Sequence, residues 1–261
     1  PTVVPTPQHF DEAMRTLGGL AEKMREGVAI TAAAGGIAGP LNRERTHLVA
    51  SPNLPEWVGR ALQEELSETL GVPVSLENDS TLSALGEARE GAGRGFPIVA
   101  YVTVGTGVGG ARIVEGKIDK NSHGFEPGHQ IIDLGGAACP TCNALGKAMG
   151  GKGHLEGYVS GASLTLRTGK EPREIIDLAV WEELASFLAV GVANTIVHWS
   201  PDVVVLGGSM IIKKPGIQVE TVEKHLKKVL TIFPTPVPLK QATLGDFGGL
   251  HGALALCGNK K

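Results

Sequence analysis

The chain has 261 residues, of which 42% are apolar and 20% are charged, and its formal net charge is −3. This length can hold one large domain or two smaller ones, and the charge lacks the basic surplus that is typical of nucleic-acid-binding proteins. Neither an apolar run of about 18 residues nor a signal peptide is evident, so we predict a cytoplasmic protein without nucleic-acid or membrane partners.

Helical and extended patterns alternate along the first ninety residues, as expected of an α/β protein. Apolar side chains recur at helical spacing after Phe10, and residues 28–34 have the pattern of a buried strand that ends in two glycines. Residues 55–70 are predicted to form a helix, residues 72–76 a short strand and residues 80–90 another helix. The glycine-rich joint at residues 91–97 predicts a domain boundary.

Glu77, Asn78 and Asp79 lie where the second predicted strand gives way to a helix. Asn78 or Asp79 can cap that helix by accepting a backbone N–H. Asp79 can instead be a general base, which takes the proton of a hydroxyl as its oxygen attacks phosphorus. The two roles are compatible, and both stay open at this point.

Residues 101–116 hold two β-branched runs joined by a turn rich in glycine. Gly105, Gly107, Gly109 and Gly110 can take positive φ and have no Cβ, so the backbone N–H groups of the turn can approach an anion such as phosphate. A second strand follows the turn where the dinucleotide-binding fingerprint would require a helix. The pattern therefore favours a hairpin phosphate loop, with an ordinary tight turn as the alternative.

The irregular segment 118–161 contains a Cys-x-x-Cys pair, Cys139 and Cys142. The spacing is that of a metal knuckle, but a structural zinc ion needs two further ligands. His129 and His154 flank the pair and can complete a Cys2His2 zinc site. A redox-active cysteine pair is the alternative, although no thioredoxin-like pattern surrounds it.

Glu126 and Glu156 each stand close in sequence to one of these histidines. A zinc ion there would fix the loops that carry both carboxylates, and carboxylates are good acceptors for sugar hydroxyls. Two solvated glutamates are the plainer interpretation. Beyond this segment, residues 178–199, 217–230 and 250–257 are predicted helices, and residues 202–206 a buried strand closed by two glycines.

Several motifs occur together in one order: Leu-Glu-Asn-Asp-Ser-Thr-Leu-Ser-Ala-Leu-Gly-Glu at 76–87, Val-Gly-Thr-Gly-Val-Gly-Gly at 104–110, Glu-Pro-Gly-His at 126–129, the cysteine pair running into residues 153–161, and Val-Val-Leu-Gly-Gly at 204–208. In this combination the chain, from about residue 28 to residue 255, resembles the ROK family of bacterial sugar kinases and sugar-responsive repressors. Residues 36–40 and 53–57 resemble the family's sugar-side loops.

The resemblance implies an actin-like, or hexokinase-like, ATPase fold in which two α/β domains close over a cleft. Residues 1–92 with 243–261 would form a smaller sugar-side domain, and residues 93–242 a larger domain with the zinc and nucleotide contacts. It also implies phosphorylation of a hexose at its 6-hydroxyl by ATP with Mg²⁺, with glucose ahead of N-acetylglucosamine or N-acetylmannosamine, and a homodimer.

The resemblance assigns roles to single residues as well. Asp79 would be the catalytic base. The sugar would contact Asn53, Asn78, Asp79, Glu126, His129 and Glu156. The nucleotide would contact Gly105, Thr106, Gly107, Gly109, Gly207 and Gly208. A structural zinc ion would be held by His129, Cys139, Cys142 and His154.

The chain departs from the family pattern at two points. The family's cysteine run is Cys-x-Cys-Gly-x-x-Gly-Cys-x-Glu, whereas this chain has His154 where the last cysteine falls. The family's opening strand and Asp-x-Gly-Gly-Thr phosphate loop would precede Pro1, so half of the ATP clamp is expected to be missing. A catalytically weak or inactive sugar-binding sensor is therefore the alternative function, and a thiol oxidoreductase is a third.

Overall fold

Two sheets of different size organise the fold, which we describe from a computed structural model covering residues 1–51, 53–145 and 151–258. The helices are α1 (Phe10–Arg25), α2 (Leu62–Leu70), α3 (Asp79–Arg89), α4 (Pro140–Leu145), α5 (Glu156–Val159), α6 (Gly161–Thr168), α7 (Leu178–Trp199), α8 (Ser209–Ile212), α9 (Val219–Val229) and α10 (Gly248–Gly258). The strands are β1 (Ala33–Ile37), β2 (Val74–Asn78), β3 (Ile98–Val104), β4 (Val108–Val114), β5 (Lys117–Ile118), β6 (Val203–Gly207) and β7 (Leu239–Gln241).

The larger sheet has five strands in the order β5-β4-β3-β6-β7. Strands β3 and β4 form an antiparallel hairpin, while β6 runs parallel to both β3 and β7. The smaller sheet pairs β1 with β2 in parallel, so that Gly36 lies opposite Glu77 and Ile37 opposite Asn78. The carboxyl end of β2 therefore carries the three polar residues 77–79 to the edge of the small sheet.

Both faces of the large sheet are covered by core residues. Successive side chains of β3 point to opposite sides and enter different cores. Val102 and Val104 belong to a core that includes Leu188 of α7 and residues of α9. Tyr101 belongs to a second core, with Leu85 of α3. A third core joins α1 and α2 to the small sheet.

Helices α3 and α10 lie against each other; α3 contacts both sheets, and α10 contacts β1 of the small sheet. Their approach is close, because a Cβ on Gly252 would lie 1.8 Å from the carbonyl oxygen of Leu82. The predicted domain boundaries, residues 1–92 with 243–261 and residues 93–242, stay predictions.

Helix α7 is long and apolar enough to cross a membrane by length and composition, which differs from our expectation from the apolar runs. However, 61% of its most apolar window is buried inside the protein. It packs on the large sheet through Leu184, Leu188 and Val192, which are fully buried. These contacts are those of a core helix.

Two predicted elements differ from the structure by more than a small shift of their ends. The first strand begins at Ala33, and Val28, which we placed in it, is 69% exposed. The helix predicted over residues 55–70 is divided into a short 3-10 turn at Pro55–Trp57 and α2. Gly59 between them has a φ of 76°, which breaks a right-handed helix.

Candidate active site

A cleft of about 1130 Å³ brings most of the predicted site residues together. Its lining includes all six predicted sugar contacts, Asn53, Asn78, Asp79, Glu126, His129 and Glu156, and four predicted nucleotide contacts, Gly105, Thr106, Gly107 and Gly109. Gly207 and Gly208 are not part of this lining. A Cβ on Gly208 would be 2.3 Å from the carbonyl oxygen of Val104, so this glycine allows β6 to end tightly against β3.

Asp79 is the first residue of α3, and Asn78 is the N-cap. The Asn78 Oδ1 accepts hydrogen bonds from the N–H groups of Ser80 and Thr81 at 3.0 and 3.3 Å, and its Nδ2 donates to the carbonyl oxygen of Gly39. Asn78 thus caps the helix, while Asp79, whose Oδ1 accepts the Ser80 N–H at 2.8 Å, lines the cleft. The capping role thus belongs to Asn78, and the general-base role of Asp79 stays a prediction.

The walls of the cleft shift the pKa of two carboxyl groups. Desolvation raises the pKa of Asp79 above its ordinary value, and a backbone hydrogen bond from Ser80 offsets part of this. Desolvation also raises the pKa of Glu126; the charge of His129 opposes this rise, while the negative charges of Glu156 and Asp79 add to it. A raised pKa makes Asp79 a stronger base than an ordinary aspartate.

The glycine turn between β3 and β4 is present as predicted, but its glycines do not adopt the positive φ that we expected. None of Gly105, Gly107, Gly109 and Gly110 has positive φ. Three of them allow close approach instead. A Cβ added to Gly107 would lie 2.6 Å from Glu156 Oε2, and one added to Gly109 would lie 2.8 Å from Ser80 Oγ. A Cβ added to Gly110 would lie 2.3 Å from the carbonyl oxygen of Tyr101.

Hydrogen bonds fix the turn to the start of α6 and to Glu156. The N–H groups of Gly161 and Ala162 donate to the carbonyl oxygens of Gly105 and Thr106 at 2.8 and 3.2 Å, and the Val108 N–H donates to Glu156 Oε2 at 2.7 Å. Across the described residues, the N–H groups of Thr106 and Gly107 donate to no protein acceptor. The turn therefore presents two free backbone donors on a rigid support, which suits a phosphate group.

The four predicted zinc ligands do not form one group in the structure. Cys139 and Cys142 are joined in a disulfide bond, while the Nδ1 atoms of His129 and His154 lie 3.3 Å apart. No cluster of three or more His, Cys, Asp or Glu side chains suited to a metal occurs in the ranges that the structure covers. A disulfide offers no thiolate to zinc, so these residues do not fit the ion in this form.

Sequence reasoning missed several residues that line the cleft: Ser51, Ser80, Ser83, Thr103, His123 and Ala162. Ser80 could have been found, because it follows Asp79 directly at the start of a predicted helix. His123 carried no signal, since it stands in a segment without periodicity.

Comparison with known proteins adds to this geometry. The model of the ROK family matches residues 2–260. The chain is 30% identical to the N-acetyl-D-glucosamine kinase of Histophilus somni over 97% of this chain and 89% of the relative. It is also similar to the crystal structure of a ROK hexokinase from Thermus thermophilus, with a TM-score of 0.83 and 30% identity over 97% of this chain and 89% of the other.

A third similar structure is a ROK family glucokinase from Streptomyces griseus in complex with glucose and AMPPNP. Its TM-score is 0.77 and its identity 25%, again over 97% of this chain and 89% of the other. The predicted α/β fold of the actin-like ATPase type is confirmed by these two structures. The family match extends over nearly every residue, and the chain belongs to the ROK family.

Proposed function

We propose that this ROK family sugar kinase transfers the γ-phosphoryl group of ATP to the 6-hydroxyl of glucose or a related hexose. The observation that carries the proposal is the contact between the start of α3 and the glycine turn, where a Cβ on Gly109 would be 2.8 Å from Ser80 Oγ. Asp79, Thr106 and Gly107 also line one cleft, as a base and the donors to a phosphate must.

Each side of the cleft has a chemical task. Asp79 accepts the proton of the attacking hydroxyl, and its raised pKa suits that transfer. The N–H groups of Thr106 and Gly107 bind phosphate oxygens, where negative charge is spread in the transition state. ATP supplies the transferred group. Mg²⁺ is expected to enter with the nucleotide phosphates.

The sugar would be held by carboxylates that line the same cleft. Glu126 and Glu156 line the cleft together with His129, and carboxylates accept hydrogen bonds from hydroxyl groups. Glu156 also accepts the Val108 N–H, so a sugar bound to it is placed against the phosphate turn. Relatives named for glucose and for N-acetylglucosamine support a hexose, with N-acetylmannosamine as a further candidate.

A coupled assay of ADP release with a panel of hexoses tests the proposal, and calorimetry with the same sugars tests its alternative. We expect phosphorylated sugar with at least one of glucose, N-acetylglucosamine and N-acetylmannosamine. A sensor would bind sugar without any sugar-dependent hydrolysis of ATP. Sugar binding without phosphate transfer in the full chain would contradict the kinase proposal and support the sensor.

The predicted zinc ion belongs to the reduced protein, in which Cys139 and Cys142 would be thiolates. Metal analysis of reduced and oxidised protein tests it: one zinc per chain after reduction supports the site, and none in either state removes it. The proposed phosphate transfer does not depend on zinc. The homodimer, the cytoplasmic location and the absence of nucleic-acid partners likewise stay predictions, and light scattering tests the first.

A further inference from the structure

One arginine joins the loop that follows β1 to a loop of the large-sheet part of the molecule. The Nε atom of Arg45 lies 3.1 Å from both Oε1 and Oε2 of Glu77. Its Nη2 donates to Oδ1 of Asn121 at 2.8 Å, 76 residues away in sequence. The side chains of Arg45 and Glu77 are only 21% and 11% exposed, so solvent screens this ion pair less than a surface pair.

On one side, the contact reaches the proposed base through two residues. Glu77 Oε1 also accepts the N–H of Asn78 at 3.0 Å. Asn78 in turn caps α3, whose first residue is Asp79. The position of the Asp79 carboxylate is thus tied to the carboxylate that Arg45 holds.

On the other side, the contact reaches the proposed sugar-binding loop. Asn121 Oδ1 also accepts the N–H of Gly124 at 2.8 Å, and its Nδ2 donates to the carbonyl oxygen of Asp119. Gly124 is two residues before Glu126. Between the two sides lies a small cavity of about 20 Å³, lined by Arg45, Glu77 and residues 123–126.

We propose that Arg45 is a positioning residue that sets the sugar loop carrying Glu126 in register with the base Asp79. The inference rests on the proposed function, because it assigns the coupling between the sugar contact and the base of that same reaction. The planar guanidinium has donors in a fixed fork, so one side chain can hold two acceptors at a defined separation. Lysine offers the charge without the fork.

Arg45→Met is the direct test, with Arg45→Lys as the conservative variant. For Arg45→Met we expect a rise of about tenfold or more in KM for hexose together with a fall in kcat, since small displacements of reacting groups cost about 10²-fold in rate. KM for ATP should stay within about twofold, because the glycine turn is not touched. Arg45→Lys should recover part of the loss.

Two further variants separate positioning from general stability. Asn121→Ala removes the acceptor on the sugar loop and leaves the Arg45–Glu77 pair, so it should give the same KM pattern without unfolding the protein. The double variant should lose less than the two single losses combined. Arg25→Met is the control, because Arg25 pairs with Glu22, has 35% side-chain exposure and does not line the cleft.

Hexose affinity measured by calorimetry tests the positioning role of Arg45 separately from the kinase proposal, because it does not require phosphate transfer. If the wild-type chain binds hexose but transfers no phosphate, the kinase proposal fails, and a loss of hexose affinity in Arg45→Met still supports the positioning role. Folded Arg45→Met and Asn121→Ala variants with unchanged hexose KM and affinity overturn it, as does an equal loss in Arg25→Met. A wild-type chain that binds no hexose overturns both proposals.

Discussion

At the scale of single residues, the account depends most on Asp79. Replacing this carboxylate by its amide equivalent, Asp79→Asn, should lower kcat by about 10³-fold, because general-base catalysis contributes about 10²–10⁴-fold. Hexose affinity should change little, which calorimetry can check. Asp11→Asn is the control, since Asp11 is an exposed carboxylate on α1 that pairs with Arg60 and does not line the cleft.

The raised pKa of Asp79 predicts a pH profile. The base must be ionised to accept a proton, so kcat/KM should fall as the pH is lowered through the raised pKa. The acidic inflection should therefore lie above the ordinary pKa of an aspartate. An inflection at or below that value, measured with hexose and ATP far below saturation, would contradict the assignment.

The same shift has a consequence for stability. A carboxyl group whose pKa is higher in the folded than in the unfolded protein favours the fold at low pH, and this contribution is lost as the pH rises through the folded-state pKa. Ionised Asp79 thus opposes folding at neutral pH. Asp79→Asn should leave the melting temperature unchanged or raise it, so a lower kcat would not reflect unfolding.

At the scale of elements, the glycine turn makes the next prediction. A methyl group at residue 107 would collide with Glu156, and one at residue 109 with Ser80. Gly107→Ala and Gly109→Ala should each raise KM for ATP by about tenfold or more, as displaced backbone donors lose their alignment with phosphate. Unchanged ATP kinetics in both variants would rule out the phosphate role of the turn.

Gly19→Ala is the matched control for this series. Gly19 lies inside α1, and a Cβ there would meet no atom within 4 Å. Alanine should stabilise that helix by up to about 1 kcal/mol and leave ATP kinetics unchanged. A thermal melt and the same coupled assay measure both effects.

Elements with a local sequence pattern were predicted from the sequence. Elements and boundaries that depend on contacts with distant residues or on backbone angles were not. The β3–β4 hairpin and α7 follow from periodicity alone, and α7 has the predicted bounds 178–199. The short edge strand β7 escaped notice because two of its three residues are exposed and give no alternation. The break at Gly59 depends on a backbone angle that a composition pattern does not reveal.

The site was predictable in its members but not in its contacts. Asp79 and the glycine turn lie in one cleft as expected. Both could be predicted because each segment has residue types that suit its chemistry. The Arg45–Asn121 contact could not be predicted from the sequence, since nothing in either segment indicates its partner. The zinc expectation shows the same limit: a Cys-x-x-Cys spacing suits a metal, but the structure joins Cys139 and Cys142 to each other.

At the scale of the whole molecule, Glu87 connects distant parts of the chain. Its side chain is buried, with 1% of the residue exposed, and accepts hydrogen bonds from the N–H groups of Ala92, Thr243 and Leu244 at 2.7 to 2.8 Å. These partners stand at the two places where the chain would cross between the predicted domains. Glu87 therefore fixes both crossings to α3.

Glu87→Gln tests this role. The amide loses the charge that strengthens each hydrogen bond and sets an NH2 group against backbone donors, so unfolding should become easier by about 2 kcal/mol or more. Denaturant unfolding measures the change. Glu64→Gln, at a carboxylate in the first turn of α2, should change stability far less.

The most direct test of the account is transfer of radiolabelled γ-phosphate from ATP to a hexose by the full chain and by Asp79→Asn, measured side by side. The proposed kinase should give labelled hexose 6-phosphate with the wild-type chain and a rate about 10³-fold lower with the variant. Labelled sugar formed equally fast by both proteins, or by neither, would contradict it.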